Sequence, residues 1–408
     1  MKWKPARAAA IAQLEAFLPR SGGEYSETRN YDDGRARTNV SQLSPWLHAG
    51  VISEREVVER VLSQHSVTCS EKFIAEVFWR IYFKGYLEQR PSIWGSYCEQ
   101  RDAAMSRLTS NAESQTAYAE ATEGRTGIPA FDLWAQELVE TGYLHNHSRM
   151  WFASIWIFTL KLDWELGADF FLRYLIDGDA ASNTLSWRWV AGLHTKGKTY
   201  LARADNIARY TANHPHGPME ARDLADKAHP LEDPVDHCKR PLTLPPNPSK
   251  DWFEQSYALL LHDEAASHVP IDLPTPPSLV IAAARPDARS PQPVGDLAQR
   301  FAREAVRNGA IAASDAFGCP VTSWEREADL GAILSDAGIK ALAVPYLPTG
   351  WTSDALLPEI EAIATSGDSV TLLPDLDRAT WPSAKAGFFG VKKHIDGILG
   401  ELGISGAG

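Results

Sequence analysis

Twelve of the chain's 26 prolines fall between Pro215 and Pro277. Each proline lacks an amide donor and restricts the residue before it, so no long helix can pass through such spacing. The stretch from His214 to Pro277 is therefore expected to be an extended connection wrapping what precedes it. It leaves room for one short helix around Trp252–His268. What folds before it and what folds after it must each build its own core, and 408 residues suffice for two ordinary domains.

The two flanks differ in texture. Residues 1–212 read as mostly helical. Ser53-Glu54-Arg55-Glu56 is a capping-box pattern that opens a helix running to about His65. Ser70 is expected to cap the next helix, which carries Phe73, Val77, Trp79, Ile81 and Phe83. Further helices are expected over 130–141, 147–162 and 167–176, punctuated by Gly142, Gly167 and Gly178. From Ser278 the apolar runs SLVIAAA, IKALAVPYL and SVTLLPD alternate with helical patterns over 293–309, 324–337, 353–366 and 387–402. That alternation predicts a small parallel α/β domain. The expected fold class is mainly α: a helical domain over 1–212, a Pro-rich connection over 213–277, and the α/β domain over 278–402. The tail GISGAG is expected to be disordered.

Charge and cysteine content narrow the function. There is no run of about 18 apolar residues, so no membrane span is expected. The N-terminus lacks a signal-peptide core. Cys69, Cys98, Cys238 and Cys319 are far apart and form no CxxC pair, which argues against a zinc site or a disulfide framework. His214, His216, His229, His237 and Cys238 fit no common zinc spacing, so no metal is expected. These features suit a cytoplasmic protein, and a monomer is expected. The net charge of −12 argues against nucleic acid as a partner. Its distribution weakens that argument. Residues 246–408 hold 12 Lys+Arg and 21 Asp+Glu, a net of −9, which leaves −3 for residues 1–245. A nearly neutral first domain can carry a local basic patch.

The richest stretch for chemistry runs from Thr126 to Trp189. Arg149, Asp177, Asp179 and Asn183 are interleaved there with tryptophans in an apolar setting. Buried charge is costly unless it is paired or binds a ligand. An isolated Asp-Gly-Asp is more often a solvated turn, but Leu175-Ile176 and Ala180-Ala181 flank this one and suggest burial.

Tyr25-x-x-x-Arg29, VSQLSPWLHAGVIS (40–53), EVFWRIYF (76–83) and above all LIDGDAASN (175–183) followed by SWRW stand in that order along the chain. With these motifs, the sequence from Tyr25 to Tyr210 resembles the flavin-binding core of the photolyase/cryptochrome family. The resemblance implies an all-helical domain holding a folded FAD. Tyr25, Phe73 and the segment Val40, Ser41, Gln42, Leu43, Ser44 would contact the cofactor. Ser41 and Ser44 lie beside an expected helix start, where phosphate oxygens find hydroxyls and free N–H groups; capping that helix is the alternative. Arg149 and Asp177 would pair beside the flavin ring, with Gly178 and Asp179 in the same loop. Asn183 would face flavin N5, where an amide can donate or accept a hydrogen bond.

Trp187 and Trp164 match the inner members of the family's electron-relaying tryptophans. The outermost would fall near Asn111, where there is no Trp. Trp134, Trp151, Trp156 or Tyr118 could replace it. Trp156 is attractive because Arg149, Ala153, Trp156, Leu160 and Trp164 would follow one helical face.

Glu76, Trp79, Asn146, Met150 and Trp189 match positions contacting a flipped pyrimidine dimer, and aromatic walls suit an extruded base. A Glu76–Arg80 salt bridge is the alternative role for those two residues. Arg29, Arg80, His147, Lys196, Lys198 and Arg203 would contact DNA, with the HTKGKTYLAR loop (194–203) near phosphates; a solvated basic loop is its alternative. His147 stands where a basic residue is usual, so partial protonation near neutral pH is expected to make binding pH-sensitive.

The family's usual N-terminal antenna domain is expected to be absent from its place, and an α/β domain with no Gly-rich loop follows instead. That domain could be a relocated antenna-like module or a structural brace; no residues name a pigment, so a brace or an unknown role is expected. The resemblance thus implies a photolyase that repairs UV-damaged DNA with light. Asn146 and Met150, standing where animal (6-4) photolyases carry His, favour cyclobutane dimers. Alternatives are a cryptochrome-type photoreceptor, a photolyase for (6-4) photoproducts or single-stranded DNA, and a flavoprotein with dark redox chemistry.

Overall fold

The computed structural model describes residues 3–366 and 368–406. The helical part comprises α1 (Arg7–Phe17), α2 (Gly23–Thr28), α3 (Ser44–His48), α4 (Glu54–Leu62), α5 (Val67–Glu88), α6 (Ser92–Thr109), α7 (Ala112–Glu123), α8 (Pro129–Thr141), α9 (Asn146–Ser154), α10 (Trp164–Tyr174), α11 (Ala180–Ala191) and α12 (Ala204–Tyr210). Ser53 caps α4, its hydroxyl accepting from the Glu56 amide at 3.2 Å. The cap of α5 is Ser66, not Ser70. Ser70 lies one turn inside, buried, and its hydroxyl bonds back to the Ser66 carbonyl at 2.9 Å.

The expected helix 147–162 stops at Ser154, passes through a wider π-type turn over Ile155–Thr159, and breaks before α10. Trp164 therefore starts a new helix, and the proposed common face with Arg149 and Trp156 is interrupted. Gly142 ends α8 with φ +67°. Gly167 does not punctuate anything. It sits inside α10, where a Cβ would lie 2.3 Å from the Trp187 ring. Its lack of a side chain is what lets α10 and α11 approach each other.

The five strands are β1 (Tyr257–His262), β2 (Leu279–Ala283), β3 (Val321–Ser323), β4 (Ala341–Pro345) and β5 (Asp368–Leu372). All pairings are parallel, in the order β3-β2-β1-β4-β5. The central strand β1 falls where a helix around Trp252–His268 was expected. Only a 3-10 turn over Lys250–Glu254 is present there. Every residue of β1 is buried, as a strand covered on both faces requires, and such a run carries no period that separates it from a helix. The α/β unit thus draws its first strand from the Pro-rich segment.

The crossover helices are α13 (Asp296–Phe317), α14 (Leu330–Asp336) and α15 (Trp351–Ser366). The single helix expected over 387–402 is instead α17 (Phe389–Lys392) and α18 (Ile395–Glu401), preceded by α16 (Asp375–Thr380). Glycines 387 and 390 weaken a continuous helix there. These last helices pack on α5 rather than trailing into solvent. Ile404 of the expected disordered tail is buried in the same core, while residues 407 and 408 lie outside the described part.

The loops after β1 and β4 meet the helical part directly. Ala266 N–H donates to Ala49 O at 2.8 Å. Tyr346 hydroxyl and Thr349 N–H both donate to the Glu88 carboxylate, at 2.8 and 2.7 Å. The crevice at the carboxyl ends of these strands, where open α/β sheets usually take ligands, therefore opens onto α5.

Candidate functional site

The loop between α10 and α11 forms the floor of the site. Asp177 is buried and accepts from Arg149 Nη2 at 2.9 Å. Burial opposes its ionisation, but the Arg149 charge and the Ser44 hydroxyl outweigh this and hold the carboxyl below the usual range. Arg149 is oriented in turn by Leu144 O at 3.0 Å. Asp179 caps α11, accepting from Ser182 N–H at 2.6 Å. It too is buried, and His48, Arg80 and Lys84 hold its carboxyl well below the normal value. Asn183, one turn into α11, donates from Nδ2 to Ala168 O at 2.9 Å. That bond fixes which way its amide points.

The other expected cofactor residues converge on this floor. The Val40–Ser44 segment leads into α3, and Ser44 reaches Asp177. Gln42 adopts φ +54°, uncommon for a side-chain residue. Its amide donates to Ala36 O and Arg37 O at 2.9 and 3.1 Å, which holds the loop in that shape. Val40 and Ser41 are half-buried, and Leu43 is buried. Tyr25 and Phe73 meet edge to face at 5.1 Å in the apolar core behind them.

Several buried polar atoms around the floor have no hydrogen-bond partner. They include Asp177 Oδ1, Ser182 Oγ, Arg80 Nη2 and both ring nitrogens of His48, with Arg80 Nη2 and His48 Nδ1 lying 3.9 and 3.7 Å from Asp179. Buried polar atoms normally find a partner. A ring of orphan donors and acceptors around a paired Arg–Asp fits a group with many hydrogen-bonding atoms, as FAD has.

His48, Asp179 and Glu264 place ligand-type atoms within 4.8 Å of one another. Lys84 already bonds Glu264 at 2.8 Å, and Arg80 lies 3.9 Å from Asp179. This is a balanced charge network joining the two parts of the chain. Nothing in the sequence spacing signalled His48, Lys84, Glu264 or Arg289. Arg289, buried in the α/β part, donates to Leu175 O at 2.8 Å, and Trp351 Nε1 donates to Gly178 O at 3.3 Å. The α/β part thus grips the backbone of the Asp177–Asp179 loop.

The expected lesion and DNA residues are more scattered. Glu76 pairs with Arg29 rather than Arg80. Arg80 turns inward to Glu54 at 3.2 Å and is not placed to meet a phosphate. Trp79 has one face stacked on Phe388 at 4.0 Å, so only part of its ring is open as a wall. Asn146, His147 and Met150 lie on α9. Trp189 on α11 is 37% exposed and stacks on Tyr200 at 5.5 Å. Lys196, Lys198 and Arg203 are exposed. His147 differs from expectation: burial and the nearby Arg29 push its pKa down to about 4, so it is neutral at pH 7.

Trp187 is buried, with Phe171 at 5.1 Å and Trp156 at 6.2 Å. Trp156 meets Tyr118 edge-on at 5.9 Å, and Tyr118 lines a cavity of about 560 Å³ with Arg173. Trp164 packs on Tyr97 at 5.7 Å. Asn111, at the position of the missing outer Trp, caps α7 by accepting from Glu113 N–H and Ser114 N–H.

The family model for the FAD binding domain of DNA photolyase matches residues 73–217. Within the helical part, residues 73–217 are similar to that FAD binding domain. FAD is its cofactor. The deoxyribodipyrimidine photo-lyase of Streptomyces griseus is 35% identical over 194 residues, covering 44% of this chain and 41% of that protein. The photo-lyase of that name from Escherichia coli is 32% identical over 198 residues, covering 47% and 40%. The chain spans about two fifths of the length of these curated relatives. Among solved structures, the cryptochrome of Synechocystis is 26% identical with a TM-score of 0.44, over 52% of this chain and 44% of that one. Among the described residues, no helix is long and apolar enough to cross a membrane.

Proposed function

We propose that this protein is a light-driven DNA repair enzyme acting on cyclobutane pyrimidine dimers. The observation that carries the reading lies on one helix. At its buried end α11 presents Asn183, one turn beyond the loop that holds Asp177 against Arg149, and at its outer end it presents the exposed Trp189, followed by a loop carrying exposed Lys196 and Lys198. An exposed tryptophan beside lysines suits an unstacked base and its phosphates.

Arg149, Asp177, Asp179, Ser44 and Ser182 would hold the cofactor, and the Asn183 amide would accept or donate a hydrogen bond at its edge. A reduced FAD held by these residues would supply light-driven electron donation to a dimer with no net redox change. Arg29 orients Glu76 so that its carboxylate can accept from a base imide N–H. Trp189 and the open part of Trp79 would receive the extruded bases, and burial of the floor keeps water out. The α/β part would act as a brace, through Arg289 and Trp351, for the loop that carries both aspartates.

The test is blue-light irradiation of the reduced, FAD-loaded protein with oligonucleotides bearing one defined cyclobutane dimer. Loss of the dimer only in the light is expected, and an intact dimer under those conditions refutes the reading. A photoreceptor without repair activity is the second reading. It is favoured by one observation, Phe388 on the face of Trp79, and predicts photoreduction with no dimer loss.

A further inference from the structure

Residues 246–408 carry a net charge of −9, yet no acidic residue occurs from Ala379 to Ile395, a stretch that holds Lys385, Lys392 and Lys393. The same stretch contains Phe389, 81% exposed, by far the most open of the exposed large apolar side chains. Neither feature serves the core. An isolated exposed apolar residue needs no explanation. A nearly fully exposed phenylalanine on a basic turn in an otherwise acidic domain does.

The location of this turn decides what it fits. Phe388 stacks on Trp79 at 4.0 Å with ring planes 15° apart, which turns the neighbouring Phe389 outward. Tyr82 hydroxyl donates to Ala386 O at 2.8 Å and lies 3.1 Å from His194 Nε2. One tyrosine thus touches both the Lys385–Phe389 turn and the start of the loop bearing Lys196 and Lys198. Arg90 fastens the turn from below, donating to Lys385 O at 2.9 Å. Two basic segments, far apart in sequence, therefore meet beside Trp79 and share one rim.

We propose that residues 384–394 form a second DNA-contacting element, in which Phe389 stacks on a base of the strand beside the dimer while Lys385 and Lys393 meet its phosphates. The proposal rests on the repair reading above. It assigns to the α/β part a direct role in substrate binding. Exposed aromatics interleaved with lysines hold unpaired strands by stacking and charge without reading sequence. Extruding a dimer unstacks the bases that flank it and opens their faces.

The test uses the full FAD-loaded chain with single strands and duplexes, with and without one cyclobutane dimer. Phe389→Ala and the double change Lys385→Gln with Lys393→Gln alter exposed side chains, and flavin absorbance checks that both variants remain loaded. Phe389→Ala is expected to weaken binding to the dimer-bearing strand about five-fold or more, with the salt dependence unchanged. The double lysine variant is expected to weaken binding to damaged and undamaged single strands alike. It should also flatten the slope of log affinity against log salt by about 1.4, or about 0.7 per phosphate contact. If the parent binds and repairs while both variants bind within two-fold of it at the same slope, this proposal is overturned and the repair reading stands. If the parent binds none of the oligonucleotides, both fall.

Discussion

Replacing Arg289 by Met tests whether the α/β part shapes the cofactor site. Arg289 is 1% exposed and donates to Leu175 O at 2.8 Å and more weakly to Ile176 O at 3.4 Å. These two carbonyls immediately precede Asp177. The guanidinium also lies over the Trp351 ring at 5.1 Å. Burial pulls its pKa down, but the surrounding carboxylates, Asp263 first, oppose this. Methionine fills similar volume, removes the charged donor from both carbonyls and leaves Leu175 O only the Gly178 N–H at 3.1 Å. A hydrogen bond to a charged group contributes about 1.5–3 kcal/mol, and only the 2.8 Å bond has good geometry. Leaving nearby buried carboxylates less compensated adds to the cost. A loss of about 3 kcal/mol in unfolding free energy is expected, read by denaturant titration of the apo protein. The loop should also lose its preformed shape, so FAD affinity, read by flavin fluorescence, should fall about ten-fold, which corresponds to about 1.4 kcal/mol. A folded Arg289→Met protein that binds FAD within two-fold of the parent would refute the brace argument, whatever its stability.

Three further outcomes follow from the same geometry. His145 caps α9 by accepting from His147 N–H at 3.2 Å through Nδ1, and its Nε2 faces Arg29 O at 3.1 Å. Protonating Nδ1 destroys that cap, and burial pushes the pKa down to about 3. The unfolded chain takes up the proton near pH 6.5 and the folded chain does not, so stability from this group is present above pH 6.5 and declines as pH falls towards 3. Between pH 7 and pH 5 the parent should lose about 2 kcal/mol more than His145→Asn, and equal losses would count against the assignment. His147, neutral above about pH 4, should give DNA affinity no inflection between pH 6 and 8; an inflection there that disappears in His147→Gln would contradict its placement. Finally, Trp156→Phe should slow flavin photoreduction strongly and Tyr118→Phe less so, with Trp134→Phe as the control. Rates unaffected by Trp156→Phe would exclude the Trp187–Trp156–Tyr118 path.

What the sequence disclosed depends on whether the responsible physics is local. Caps and glycine stops are local, so Ser53 and Gly142 were legible. Asp179 at the start of α11 is local as well, and its motif carried the cofactor with it. Ser70 misled because Ser66 offers the same chemistry one turn earlier. β1 was missed because six buried residues in a row carry no period. Gly167 was misread for a different reason: its cause is the Trp187 ring, twenty residues away in sequence. The interior charge network shows the limit most plainly. Lys84 and Glu264 are 180 residues apart and bond at 2.8 Å, and neither has a neighbour in sequence that requires the other. Each is costly alone in the interior and tolerable only as a pair. Their joint presence is therefore a property of the contact between the helical and α/β parts. Separating the two parts would strand both charges, and would part Arg289 from the Leu175 and Ile176 carbonyls it serves. Either part expressed alone should consequently be less stable than its own core suggests, and the helical part alone should hold FAD more weakly than the full chain.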